Sequence, residues 1–124
     1  MTNLVDKKYY TDCYGGIEIS DNAEFEKLSS RAEGVIDAFV QSEVLNWKYS
    51  EYLALKENQN ENESIKKAIC QEIEVLYQSN GMQAVTGGAD AGLMELFGGV
   101  PLAKTSKNGI LQILAENNIW YKGA

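Results

Sequence analysis

Two stretches of this chain repeat apolar residues at a helical period, and any fold it adopts must bury both stripes. Phe25, Leu28, Ala32, Val35, Ile36, Phe39 and Val40 recur at offsets of 3, 7, 10, 11, 14 and 15, which is one face of a helix with 3.6 residues per turn. Glu26, Lys27, Ser30, Glu33 and Asp37 fall on the opposite face. Asp21, followed three residues later by Glu24, gives a start resembling a capping box. The spacing therefore predicts a helix over 22–41. The second stripe is Ile65, Ala68, Ile69, Ile73, Leu76 and Tyr77. Asn60, with Glu63 three residues on, can introduce it, and Gly81 suits a left-handed terminator. Between the stripes, residues 43–60 mix Trp47, Tyr49, Tyr52, Leu53 and Leu55 without one clean period; a short helix near 48–56 is expected.

The flanks differ in character. The opening KKYYTDCYGG holds three tyrosines before Gly15-Gly16 and reads as an extended arm closed by a turn. Eight of the eleven glycines and the only proline lie beyond residue 80. Each glycine inside a helix costs about 1 kcal/mol, so 82–105 is expected to be a long Gly-rich loop with room for a short strand. A last short helix is expected from Ser106 or Asn108, followed by a tail that contains Ile119, Trp120 and Tyr121. The 124 residues amount to one domain. Its expected parts are an arm (1–20), a helical core (21–81), the loop (82–105), and a short helix with its tail (106–124). The fold class is mainly α: a small bundle of two long and one or two short helices.

Charge and motifs narrow the chemistry. A formal net charge of −7 opposes binding through nucleic-acid phosphates, which needs a basic face. All of that excess lies in residues 1–80, with 15 acids against 8 bases. MTNLVDKKYY lacks the apolar core of a signal peptide and no stretch approaches the ~20 apolar residues of a membrane span. A cytosolic setting without membrane contact is expected. Histidine is absent, which removes the commonest general base and metal ligand. Cys13 and Cys70 have no metal-ligand spacing and read as reduced thiols, Cys70 on the buried side of its helix. KTSKNG and GGADAG match no phosphate-binding glycine pattern. Glu24/Glu26, Glu61/Glu63 and Glu72/Glu74 are each two apart, so on a helix their members diverge by about 200°; they read as solvated faces. No catalytic, cofactor or metal set emerges. What remains is interaction surface: aromatics gather in the arm (Tyr9, Tyr10, Tyr14), the middle segment (Trp47, Tyr49, Tyr52) and the tail (Trp120, Tyr121), and Tyr and Trp anchor interfaces well.

The order of these pieces carries a resemblance. YYTDCYGGIEI, EFEKLSSRAEGVIDAFV, SIKKAICQEIEVLYQSNG and ILAENNIWYKGA together resemble the small head-tail connector proteins, also called adaptor or head-completion proteins, of long-tailed bacteriophages of Gram-positive hosts. The matching positions are Tyr14, Gly15, Gly16, Phe25, Arg31, Ala32, Ile36, Asp37, Ala68, Cys70, Glu72, Tyr121, Lys122 and Gly123. Residues 82–105 depart from the pattern, since the family carries a Ser/Thr-rich, strand-forming stretch there.

The resemblance implies a non-enzymatic virion assembly protein, present in the host cytoplasm during assembly and at the head-tail interface afterwards. It would form a ring, expected to be of twelve copies, that docks on the phage portal protein and extends the DNA channel without binding DNA specifically. It would also present a surface to the next connector or tail-completion protein. Ile119, Trp120, Tyr121 and Lys122 are then portal-docking candidates. Glu26, Glu33 and Asp37 are lumen-facing candidates, and Tyr9, Tyr10, Tyr14 and Trp47 candidates for contact between subunits. The alternatives are a stand-alone cytosolic helical module that binds a protein partner, and a small cysteine-dependent enzyme.

Overall fold

Asp21 begins the first long helix as its spacing predicts: its Oδ1 accepts hydrogen bonds from the N–H groups of Ala23 (2.9 Å) and Glu24 (3.1 Å), satisfying donors that the first turn leaves unpaired. The computed structural model describes residues 3–79 and 94–120. Helix α1 spans Asn22–Glu43, α2 Tyr49–Glu57, α3 Glu63–Ser79 and α4 Lys104–Glu116, and a hairpin of β1 (Met94–Phe97) and β2 (Val100–Ala103) precedes α4. The mainly helical class is as expected. The position proposed for Gly81 lies outside the described residues.

Both predicted stripes are buried, and they face each other. Phe25, Ala32, Ile36, Phe39 and Val40 of α1 share one core with Ile65, Ala68, Ile69, Ile73 and Leu76 of α3. Tyr77, assigned to the second stripe, lies at its margin and is exposed. Leu28 is only partly buried, while Ser29 beside it is fully buried, its hydroxyl donating to the Val5 carbonyl at 2.7 Å.

The N-terminal arm is not extended throughout, which corrects the expectation. Tyr9–Tyr14 forms a π-helical turn, closed by Gly15 in the left-handed conformation (φ 73°). Its tyrosines do not project into solvent. Tyr10 sits in the core with its ring 5.2 Å from that of Phe25, and Gly16 passes so close that an added Cβ would lie 2.2 Å from Tyr10 Cζ.

Residues 94–103 of the expected loop form an antiparallel hairpin pairing Phe97 with Val100, Leu96 with Pro101, Glu95 with Leu102 and Met94 with Ala103. Gly98 (φ 58°) and Gly99 (φ 81°) supply the two left-handed residues of a type I′ turn. Phe97 and Val100 flank that turn as a hydrogen-bonded pair, so Leu96 and Pro101 are a non-bonded one, where a proline loses no ladder bond. By the same alternation the Ala103 N–H faces away from β1.

Helix α4 begins at Lys104, two residues before Ser106, and ends in a Schellman arrangement. Asn118 is left-handed (φ 59°), its N–H bonds the Ala115 carbonyl (3.1 Å) and the Ile119 N–H bonds the Leu114 carbonyl (2.9 Å). This motif folds the residue after the turn back onto the helix, and Ile119 is accordingly 1% exposed.

Two glycines should respond to alanine with opposite signs. Gly16→Ala must displace the buried Tyr10 ring, with an expected loss of about 1–3 kcal/mol in urea unfolding. Gly34→Ala, at an exposed position of α1 where an added Cβ meets nothing within 4 Å, should stabilise by about 0.5–1 kcal/mol.

Candidate functional site

The end of α1 and the C-terminal tail share part of what the sequence marked as interaction surface. After α1, Val44 turns inward while Leu45 stays 40% and Trp47 70% exposed on a 3-10 turn, Asn46–Lys48. The Lys48 ammonium lies 5.2 Å from the Trp47 ring centroid and donates to the Asn118 carbonyl at 2.8 Å. A single cation therefore holds the exposed indole beside the C-terminal tail. Trp120 is half-buried against the core, its indole N–H donating to Glu43 Oε1 at 2.8 Å. Trp47, assigned to contacts between subunits, is thus linked through Lys48 to Asn118, two residues before Trp120, which is assigned to the portal. Ile119 is part of the core and not of the surface, and Tyr121 and Lys122 lie outside the described residues.

The expected acidic face of α1 divides. Glu26 is exposed, but Glu33 and Asp37, four residues apart on that helix, meet Tyr52 and Lys56, four apart on α2. Lys56 bonds Glu33 Oε2 at 2.6 Å and Asp37 Oδ2 at 2.8 Å, and the Tyr52 hydroxyl donates to Asp37 Oδ1 at 2.8 Å. The Leu4 N–H donates to the other Glu33 oxygen at 3.0 Å, and Asn62 donates to the Lys56 carbonyl at 2.8 Å. Lys56 is only 9% exposed. Burial works against its charge, but the bonds to Asp37 and Glu33 outweigh it and hold the ammonium above its ordinary pKa. Glu33 and Asp37 are therefore a clasp joining the N-terminal segment, α1 and α2. Of the three lumen-facing candidates, these two are therefore tied into the fold.

Tyr9 and Tyr14 of the arm are also tied down. Tyr9 donates its hydroxyl to Glu63, and Tyr14 donates to Glu74 Oε1 at 2.7 Å while the Ile17 N–H bonds Glu74 Oε2 at 3.2 Å. Glu63 and Glu74 lie eleven residues apart on α3, about three turns, so both face the π-helical turn. Burial first, then these carboxylates, raises the pKa of both phenols.

Reading Glu72/Glu74 as a solvated pair fails at both positions. Glu72 is completely buried: one oxygen accepts from the Ala103 N–H at 2.8 Å, and the other has no partner among the described residues. Beside it the Ser106 hydroxyl donates to the Ala68 carbonyl at 2.7 Å, so α3 receives the β2–α4 junction on one side chain and one backbone carbonyl. Burial raises the Glu72 pKa to about 8 against the lowering effects of the Ala103 N–H and the Arg31 charge. An acidic residue on the edge of an apolar stripe, with Ala68 one turn earlier, was the available signal. Its partner lies 31 residues away.

Cys70 is buried and Cys13 exposed. Burial, followed by the nearby Glu74 and Glu63, pushes the Cys70 thiol up to about 12, opposite to the activation a nucleophile needs. Among the described residues no group of three His, Cys, Asp or Glu side chains could hold a metal ion, and no helix is long and apolar enough to cross a membrane. Comparison with protein-family models, curated proteins and solved structures finds no match to this chain.

The clasp should show itself energetically. Lys56→Met leaves two half-buried carboxylates facing each other and is expected to destabilise by about 2–3 kcal/mol in chemical denaturation. Adding Asp37→Asn should restore part of the loss, giving a coupling energy of about 1 kcal/mol or more.

Proposed function

We propose that this chain is a structural subunit of a phage head-tail connector, which docks on its assembly partners through the end where Trp47 meets the C-terminal tail. The observation that carries this reading is the exposed Trp47, linked through Lys48 to the Asn118 carbonyl of the tail and close in sequence to the exposed Leu45. An exposed indole with an apolar neighbour is the kind of residue that dominates interface energies. Support also comes from the ordered resemblance of four segments, which falls on residues that build this fold: Phe25 and Ile36 in the core, Gly16 under Tyr10, Glu72 under β2.

In this reading neighbouring copies form a ring, expected to be of twelve, under the portal protein, and the ring presents its other side to the next connector or tail-completion protein. Glu26 is the acidic side chain left to line the channel, where negative charge lets DNA pass without gripping it. Ile119 serves by anchoring the tail, and docking falls to Trp47 and Trp120 together with Tyr121 and Lys122. A stand-alone binding module would use the same end. A gene lying between those for the major capsid protein and the tail proteins distinguishes the connector from it.

The test is Trp47→Ala in phage assembly. The substitution removes an exposed ring and should leave far-ultraviolet circular dichroism unchanged. It is expected to reduce the amount of this chain recovered with purified DNA-filled heads by tenfold or more, consistent with the loss of an anchor residue. Recovery at the wild-type level would overturn the assignment of this end.

A further inference from the structure

Glu72 is the one carboxylate in the described structure that is fully buried, and it sits where three elements meet. It belongs to α3; the N–H it accepts belongs to Ala103, the last residue of β2, from which α4 starts without a linker. That N–H is on the edge of β2 facing away from β1, so Glu72 takes the place of a third strand and completes the hairpin's edge. Its second oxygen meets no donor or acceptor among the described residues. A buried carboxylate with one donor is poorly compensated, whereas the neutral acid avoids most of the cost.

We propose that Glu72 is a pH-sensitive catch that holds the β1–β2 hairpin and the start of α4 against α3 when protonated and releases them when ionised. The groups around it leave the response to Glu72. From α1 the charge acting on it is that of Arg31, on an exposed residue. β2, Val100–Ala103, has no titratable side chain. On α4, Lys107 is paired with Glu95 at 3.1 Å and Lys104 is exposed. On the π-helical turn, Tyr14 is engaged by Glu74. Ionised Glu72 gains solvation only if the junction lifts and admits water or the Arg31 guanidinium. The α1–α3 apolar seam does not depend on this bond and stays closed.

The direction follows from the two ends of the equilibrium. With the hairpin lifted, Glu72 has its ordinary pKa of 4.5; with the hairpin seated it is raised to about 8. The seated state therefore binds more protons between those values, so closure weakens as pH rises through that window and levels off above it.

Nuclear magnetic resonance on the full chain tests this. The Glu72 side-chain carboxyl carbon should titrate near pH 8, and the Ala103 amide proton should follow the same curve. Between pH 5 and 7, hydrogen-exchange protection at Leu102 and Ala103, corrected for intrinsic rates, should fall by up to about tenfold per pH unit, while protection at Ile36 in α1 holds. In Glu72→Gln the Ala103 shift and the hairpin protection should be independent of pH. A Glu72 carboxyl titrating near 4.5, or hairpin protection unchanged across the window in the natural chain, would overturn the proposal. Both readouts come from the unsubstituted protein, so the decision does not depend on the variant folding.

Discussion

The structure depends on the apolar seam between α1 and α3. Phe25, Ala32, Ile36, Phe39 and Val40 on one side, and Ile65, Ala68, Ile69, Ile73 and Leu76 on the other, leave water together. Each large side chain so buried contributes about 1.5–3 kcal/mol relative to exposure, and no other pair of elements combines two stripes of that length. With the seam in place, α3 also receives Leu102 of β2 and Ile110, Ile113 and Leu114 of α4 in the same core, and polar groups along its flanks fix how the neighbouring segments sit on it. Glu63 and Glu74 hold the N-terminal turn through Tyr9 and Tyr14, Glu72 holds β2, and the Ala68 carbonyl holds Ser106. These bonds select one geometry from among those that hydrophobic burial would allow, because each unmet partner would be a desolvated polar group.

The seam was legible from the sequence because it rests on local periodicity and local capping. Asp21 with Glu24 marks the start of α1 without knowledge of any distant residue, and the stripe of α3 is visible within a single window. The attachments were not legible, since they join residues far apart: Tyr14 to Glu74 and Ala103 to Glu72 have no sequence-local trace. An acid beside a stripe looks solvated until its partner is known. The hairpin escaped for a different reason. MELF and VPLA are four residues each, too short to display a period of two, and the Gly98-Gly99 pair reads equally as a breaker or as a type I′ turn. Asn118 likewise gives no warning that it will adopt a left-handed φ and fold Ile119 onto Leu114.

The same contrast locates the surface left for partners. Of the aromatics outside the helical stripes, Tyr10 and Tyr52 enter the core and Tyr9, Tyr14 and Trp120 are hydrogen-bonded to carboxylates. Trp47 alone among the described aromatics is mostly exposed. Glu33 and Asp37 are also engaged, since both bond Lys56. Among the described residues the folded chain offers an aromatic end linked by Lys48 to Asn118, beside smaller exposures at Leu53, Tyr77 and Leu96, and the proposed connector role would use that end.

The claim that this end serves ring assembly on a portal is tested most directly by electron microscopy of the purified chain mixed with the portal protein encoded in the same genome. The account predicts a ring of this protein stacked coaxially on the portal, with one copy for each portal subunit. Portals that stay bare in the presence of folded protein at micromolar concentration would contradict it.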